Sequence, residues 1–357
     1  MKHTILMFLA FTCIVIACKK DDTSNEAAMD NIAAFPYDNL SDYGFFTGDI
    51  ANLISIDAVL PYDLNTPLFS DYSQKARYIY IPNGKSANYV ADFILDFPTG
   101  TILIKTFYFL NNIADASQGK QIIETRLLVK YDNEWEVFSY IWDEEQTEAS
   151  FTVLGEQRPI SWTHYNGETK TANYLIPNKN ECKSCHLFDE EVIPIGPKAR
   201  NLNRLYDYSD GSKNQLDKWV ERGWLTGLPN PYPYLPVWDD ESTGNLNDRA
   251  RAYLDVNCAH CHYSGAPADN SGLFLNYTNV DSLHLGICKP PVAAGQGSGG
   301  LQADIIPGDP DASIMVYRMN SNDLEVQMPE ISRSVIHTEG LELIREWIAS
   351  LEGDCTD

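Results

Sequence analysis

Two short runs of cysteine and histidine carry the clearest chemistry in the sequence. Cys182-Lys183-Ser184-Cys185-His186, the first motif, and Cys258-Ala259-His260-Cys261-His262, the second motif, both read C-x-x-C-H, the attachment sequence of c-type haem. Two thiols at this spacing can bond to the two vinyl groups of one haem, and the next residue presents its imidazole to the iron. The sequence therefore predicts two covalent haems, with attachment residues Cys182, Cys185, Cys258 and Cys261 and iron ligands His186 and His262.

Paired cysteines also serve other chemistry. A C-x-x-C pair occurs in redox disulfides and as half of a zinc site. A four-cysteine zinc site would leave His186 and His262 without a role, and a thioredoxin-like motif is expected at a helix start in a βαβ unit. Two copies, each completed by histidine, favour haem.

The second motif has the surroundings of a single-haem cytochrome. A predicted helix runs directly into it, and Pro267 lies close enough in sequence to offer a carbonyl group to the ring of His262. Met328-Pro329 and a predicted helix over residues 338–351 follow, an order that resembles the cytochrome c fold. The resemblance implies that Met328 is the distal ligand of the second haem. The alternative is a flexible side chain that fills the core.

The first motif departs from this pattern. Pro177-Asn178-Lys179-Asn180 precedes it and predicts no helix leading into Cys182, while Gly196-Pro197 is placed to offer a carbonyl group to His186. No methionine lies between Cys185 and Met315. The distal candidates are His164, His284, Met315, Met319 or no residue at all. We select His164, with a hydrogen-bonded or surface histidine as the alternative; an open iron position would allow a small molecule to bind.

The N-terminus reads as an export signal. An apolar run too short to span a bilayer ends in Val15-Ile16-Ala17-Cys18, which resembles the lipobox of bacterial lipoproteins. The resemblance implies that a signal peptide, residues 1–17, is removed and that Cys18 is lipidated; an ordinary secretory signal is the alternative. Residues 18–34 are expected to form a polar tether.

Lys19-Lys20-Asp21-Asp22 is either part of a solvated tether or resembles the surface-export signal of some Gram-negative lipoproteins. We therefore expect the protein to lie in the cell envelope of a Gram-negative bacterium. Lipid on Cys18 would anchor it in the outer membrane, with the protein facing the periplasm or the cell surface. Export implies an oxidising compartment, which favours a disulfide between the remaining Cys288 and Cys355 over two free thiols.

The composition excludes two classes of protein. The 357 residues include 26 Lys+Arg and 50 Asp+Glu, for a net charge of -24, which argues against a nucleic-acid partner. A hydrophobic fraction of 44% is too high for a disordered chain.

The residue pattern predicts an α+β protein in two regions. Strand-like segments at 76–81, 101–109, 124–131 and 135–142 are rich in β-branched and aromatic residues and are separated by turn residues. They predict an antiparallel β-rich sandwich or barrel-like domain over residues 35–175. A mainly α-helical diheme region is expected to follow, with a first haem module at 176–240 and a second at 241–357.

The chain as a whole resembles an uncharacterised family of exported bacterial diheme c-type cytochromes. The matching stretches are residues 61–71 (PYDLNTPLFSD), 97–101 (FPTGT), 124–126 (ETR), 253–262 (YLDVNCAHCH) and 308–313 (GDPDAS). The resemblance implies an electron carrier between a redox partner and the respiratory system. The alternative is a diheme oxidoreductase whose first haem is catalytic and whose second haem delivers electrons.

Overall fold

A computed structural model describes residues 22–132, 134–292 and 294–355. The expected signal peptide and Cys18 lie outside the described residues. Helix α1 (Asp22–Asp30) falls within the segment expected to be a polar tether, and its Met29 is fully buried against the β-sheet. Within the described residues, no helix is both long and apolar enough to cross a membrane.

The first half of the chain is dominated by an antiparallel sheet. Its strands and their neighbours are β1 (Leu60–Tyr62), β2 (Gln74–Tyr80), β3 (Ala87–Asn88), β4 (Ile102–Leu110), β5 (Lys120–Lys130), β6 (Trp135–Trp142), β7 (Ala149–Thr152), β8 (Glu156–Thr163) and β9 (Thr169–Ile176). Six of them form one sheet in the order β1-β2-β4-β5-β6-β7, and β8 and β9 form a separate hairpin.

The two faces of this sheet are covered differently because side chains alternate along each strand. On one face, Ile102 and Ile104 pack with aromatic residues from the segment before β1, including Tyr43. On the other face, Leu103 packs with the region that follows β9, whereas Phe107 packs with the β8–β9 hairpin. This second face is therefore where the sheet meets the first cysteine motif.

The C-terminal half combines short helices, short strands and long loops. The helices are α2 (Lys179–His186), α3 (Ala199–Leu202), α4 (Gln215–Glu221), α5 (Leu246–Asn257), α6 (Ile314–Met319) and α7 (Thr338–Ser350). The strands are β10 (Leu187–Phe188), β11 (Glu191–Val192), β12 (Leu205–Tyr208), β13 (Gly211–Asn214) and β14 (Leu225–Thr226).

The mixed α+β architecture agrees with the sequence prediction, but the prediction of a mainly helical C-terminal region is wrong. Glycine and proline recur throughout residues 258–313, between α5 and α6, and both residues interrupt helices. Only two 3₁₀ turns, Asp269–Ser271 and Gly295–Ser298, form there among the described residues.

The two halves share a hydrophobic core. Strand β14 pairs in parallel with β3, so the C-terminal half extends the β-structure of the first half. The same core cluster contains Leu103 and Leu128 of the sheet together with Cys182 and Trp219. This shared core holds the first motif against the sheet.

Candidate functional site

The first motif lies on helix α2. Asn178 caps this helix by accepting hydrogen bonds from the backbone N–H groups of Asn180 and Glu181, and the Glu181 carboxylate accepts one from the N–H of Asn178. This reciprocal capping box starts the helix just before Cys182. The prediction that no helix leads into Cys182 is therefore wrong, because the Asn-x-x-Glu spacing of Asn178 and Glu181 starts a helix directly after Pro177.

The ring of His186 is buried and oriented by the backbone. Its Nδ1 lies 2.7 Å from the carbonyl oxygen of Ile193, and a carbonyl can only accept, so Nδ1 carries the proton. Burial, reinforced by the charge of Lys105, lowers the pKa of His186 to about 3. The imidazole is therefore neutral, with its free lone pair on Nε2. The carbonyl partner is that of Ile193 and not the expected one at Gly196-Pro197.

The second motif follows α5, whose C-cap residue is Cys258. Nδ1 of His262 lies 3.3 Å from the hydroxyl of Ser271, which itself donates to the carbonyl of Ala268. Ser271 thus takes the place expected for Pro267. Burial lowers the pKa of His262 to about 4, so this imidazole is also neutral with Nε2 free.

A cavity of about 720 Å³ collects the residues predicted for the second site. Its wall includes Cys258, Cys261, His262 and Met328. Met315 and Met319 line the same cavity. The volume falls within the range of roughly 300–1,000 Å³ that is usual for cofactor and ligand sites.

The two motifs meet at this cavity. One ligand atom from each of Cys185, His260 and Cys261 lies within 4.8 Å of the others, and Cys185 also lines the cavity. The Cys261 thiol donates a hydrogen bond to the carbonyl of Ser184 at 3.7 Å, which joins the second motif to helix α2. Nothing in the sequence spacing signals this contact, because it joins residues far apart in the chain.

The remaining histidines lie in different surroundings. His164 contacts the ring of Tyr72, and its Nε2 lies 3.5 Å from a carboxylate oxygen of Glu339. His164 is not among the described residues that line the cavity. His337, which the sequence analysis did not select, does line it; its ring stacks on Phe69 at 4.1 Å and its Nδ1 lies 2.9 Å from the Tyr253 hydroxyl.

The structure pairs Cys288 with Cys355 in a disulfide and leaves the four motif cysteines as free thiols. Paired thiols beside a neutral, oriented imidazole can hold a covalent haem or bind a metal ion. Comparisons with family models, curated proteins and solved structures find no match to this chain.

Proposed function

We propose that this protein is a diheme c-type cytochrome that carries electrons between a redox partner and the respiratory system. The observation that supports it most is the cavity in which Cys258, Cys261, His262 and Met328 come together. In this proposal the C-terminal region works as a cytochrome c-like unit, with Met328 as the distal ligand of the second haem. Haem, when bound, supplies a reversible one-electron couple.

The imidazoles of both motifs have the state that an iron ligand requires. Iron binds a neutral ring through its free nitrogen, and a hydrogen bond from the other nitrogen fixes the tautomer and raises the basicity of the ligand. Ile193 provides that acceptor for His186 and Ser271 provides it for His262. Burial keeps both rings uncharged by lowering their pKa values.

The contact between Cys185 and Cys261 supports electron exchange between the two sites. These are the second cysteines of the two motifs, and their sulfur atoms lie within 4.8 Å of each other. The attachment points are therefore neighbours, although Cys182 and Cys258 belong to separate apolar clusters. Haems attached at neighbouring points favour electron transfer from one haem to the other over two independent electron carriers.

The location and the partner form part of the same proposal. The protein is a lipoprotein anchored through Cys18 in the outer membrane of a Gram-negative bacterium, facing the periplasm or the cell surface. A net charge of -24 favours a redox partner with a basic docking surface, since complementary charge speeds association. The negative charge also argues against nucleic acid.

A diheme oxidoreductase is the second candidate, with the first haem as the catalytic one. A small cavity of about 50 Å³ lies beside Cys185, Ile193 and His260. It is large enough for a molecule of a few atoms, because one water needs roughly 10–15 Å³. An unligated iron at the first motif would give such a molecule a place to react.

Optical and EPR spectra of the oxidised and reduced protein test the proposal. Two six-coordinate low-spin haems would support electron transfer, whereas a high-spin signal from the first haem would favour the oxidoreductase. Protein without haem but with bound zinc would indicate a metal site at Cys185, His260 and Cys261 instead.

A further inference from the structure

Four basic side chains lie together on the sheet face that carries the first motif. We call Lys75, Arg77, Lys105 and Arg126 the cation patch. Arg77, Lys105 and Arg126 are directly opposite one another across β2, β4 and β5. Lys75 stands opposite Phe107, and the charged ends of Lys75, Lys105 and Arg126 lie 5.9, 5.3 and 4.3 Å from the centre of that phenyl ring.

This arrangement opposes the usual pairing rule of sheets, in which like charges placed opposite each other destabilise the strands. Two carboxylates offset part of the charge: Glu124 accepts from Nε of Arg126 at 2.7 Å, and Asp63 pairs with Arg77 at 2.8 Å. Asp63 is already shared, because Arg204 also contacts it at 3.3 Å.

Neither lysine forms an ion pair with a carboxylate among the described residues. Lys75 donates to the carbonyl of Ser73, and Lys105 has no hydrogen-bond or ion-pair partner in the part of the chain that the structure describes. Burial and the neighbouring Arg126 and Arg77 lower the pKa of Lys105 to about 7. Both lysines are partly exposed, so an anion can reach them.

The cation patch adjoins the first motif. Cys182 packs in the same apolar cluster as Leu103 and Leu128, which lie two residues from Lys105 and Arg126 along their strands. Burial raises the pKa of Cys182 and lowers that of His186; the charges of Lys105 and Arg126 oppose the first shift and add to the second. An anion bound at the patch would therefore act electrostatically on the first site.

We propose that the cation patch is a carboxylate-binding site beside the first motif. Lys and Arg bind carboxylates through charge-assisted hydrogen bonds. The carboxylates come either from the propionates of the haem on Cys182 and Cys185 or from a small dicarboxylate in solution. The effect on the first haem rests on the proposed function, whereas the binding of a free carboxylate does not.

The test uses the purified full-length holoprotein and the variants Lys105→Gln and Lys75→Gln. Lys85→Gln removes a charge from an exposed loop and is the matched control, and Lys105→Arg keeps the charge. Midpoint potentials are read by spectroelectrochemistry and melting temperatures by circular dichroism, with and without succinate.

Propionates at the patch predict that, at a pH below the Lys105 pKa of about 7 where the lysine is charged, Lys105→Gln lowers one of the two midpoint potentials, because loss of a positive charge favours ferric iron. The expected change in the reduction equilibrium is on the order of tenfold, or about 59 mV for one electron, and succinate has no effect. A free dicarboxylate predicts that succinate raises the melting temperature of the wild type and of Lys105→Arg, but not of Lys105→Gln.

The inference is overturned if Lys105→Gln and Lys75→Gln match Lys85→Gln in potential and succinate does not affect the wild type. Protein that contains no haem would instead refute the proposed function. The melting temperatures with and without succinate then still test whether the cation patch binds a carboxylate.

Discussion

Three methionines, Met315, Met319 and Met328, line the cavity beside His262, and each carries a thioether that iron can bind. Met315 and Met319 belong to helix α6 and pack in the C-terminal core with Ile344 and Trp347. Met328 lies in the loop that precedes α7 and is held by a backbone hydrogen bond to the carbonyl of Arg318. Because Met328 lies in a loop, packing in the core constrains its side chain less than those of Met315 and Met319.

Met328→His is expected to lower the midpoint potential of one haem, because thioether ligation stabilises ferrous iron relative to a second imidazole. The shift should be a fraction of the roughly 0.8 V that axial ligands span. Spectroelectrochemical titration measures it. Met29→Leu changes a methionine that packs against the sheet and does not line the cavity, so this control should leave both potentials in place. If neither potential moves in Met328→His, Met328 is not a ligand.

At the residue scale, the sequence alone identifies motifs whose residues lie within a few consecutive positions. The two C-x-x-C-H motifs are of this kind. The acceptors Ile193 and Ser271 were missed because several nearby groups could have served equally well. The contact of Cys185 with Cys261 depends on how the chain packs, and residue spacing carries no record of that.

At the scale of elements, one buried carboxylate joins the segments of the two motifs. Asp255 of α5 is fully buried and accepts from Nζ of Lys198 at 3.1 Å and from a guanidinium nitrogen of Arg200 at 2.9 Å. It also accepts from the backbone N–H of Tyr277 at 3.0 Å. Asp255 thus fixes the helix that leads into the second motif against the chain that follows the first.

Asp255→Asn should destabilise the protein by about 3 kcal/mol at neutral pH, because it removes the buried carboxylate that pairs with Arg200 and Lys198. Arg200 keeps only the exposed Asp92, at 3.3 Å. Urea unfolding measures this loss. Asp311→Asn is the control: its carboxylate pairs with Arg345 at 2.8 Å but is 81% exposed, so the change should cost less than about 1 kcal/mol. Equal costs for the two variants would contradict a structural role for Asp255.

The contribution of Asp255 should depend on pH. Burial alone would raise its pKa, but Lys198, Arg200 and the Tyr277 N–H outweigh burial and lower the pKa overall. A carboxyl with a lowered folded-state pKa stabilises the protein above its unfolded value of about 3.9 and loses this effect as the pH falls through the folded value. The gap between wild type and Asp255→Asn should therefore be constant near neutral pH and narrow below about pH 4.

The strands were predictable from sequence to a greater extent than the C-terminal elements. The predicted segments 76–81, 101–109, 124–131 and 135–142 coincide closely with β2, β4, β5 and β6, because alternating β-branched and aromatic residues suit a half-buried strand. The predicted C-terminal helix over 338–351 also agrees with α7. The long stretch between α5 and α6 lacks helical periodicity. Its loop conformations depend on packing against other segments, so they could not be predicted from the local sequence.

At the scale of the whole molecule, a disulfide ties the end of the chain to the region after the second motif. Cys288 and Cys355 are 67 positions apart in sequence. Replacing either cysteine with serine should lower the free energy of unfolding by about 4 kcal/mol, from the chain-entropy estimate for a loop of this length. Urea unfolding of both single variants and the double variant measures it. Costs that add in the double variant would argue against a shared bond.

Attachment to the membrane is expected to depend on Cys18, which lies outside the described residues. Cys18→Ser should prevent lipidation of the precursor and move the protein out of the membrane fraction. Cys13→Ser, a change within the expected signal peptide, is the matched control and should leave fractionation unchanged. Metabolic labelling with a fatty acid reads lipidation directly. A labelled Cys18→Ser protein would refute the lipobox interpretation.

Each chain is predicted to carry two covalent haems, one at each motif. The most direct measurement combines the intact mass of the purified protein with a pyridine haemochrome assay. We predict a mass increase of two haems in the wild type, and of one haem in Cys182→Ala/Cys185→Ala and in Cys258→Ala/Cys261→Ala. A wild-type mass increase of one haem or none would contradict the account.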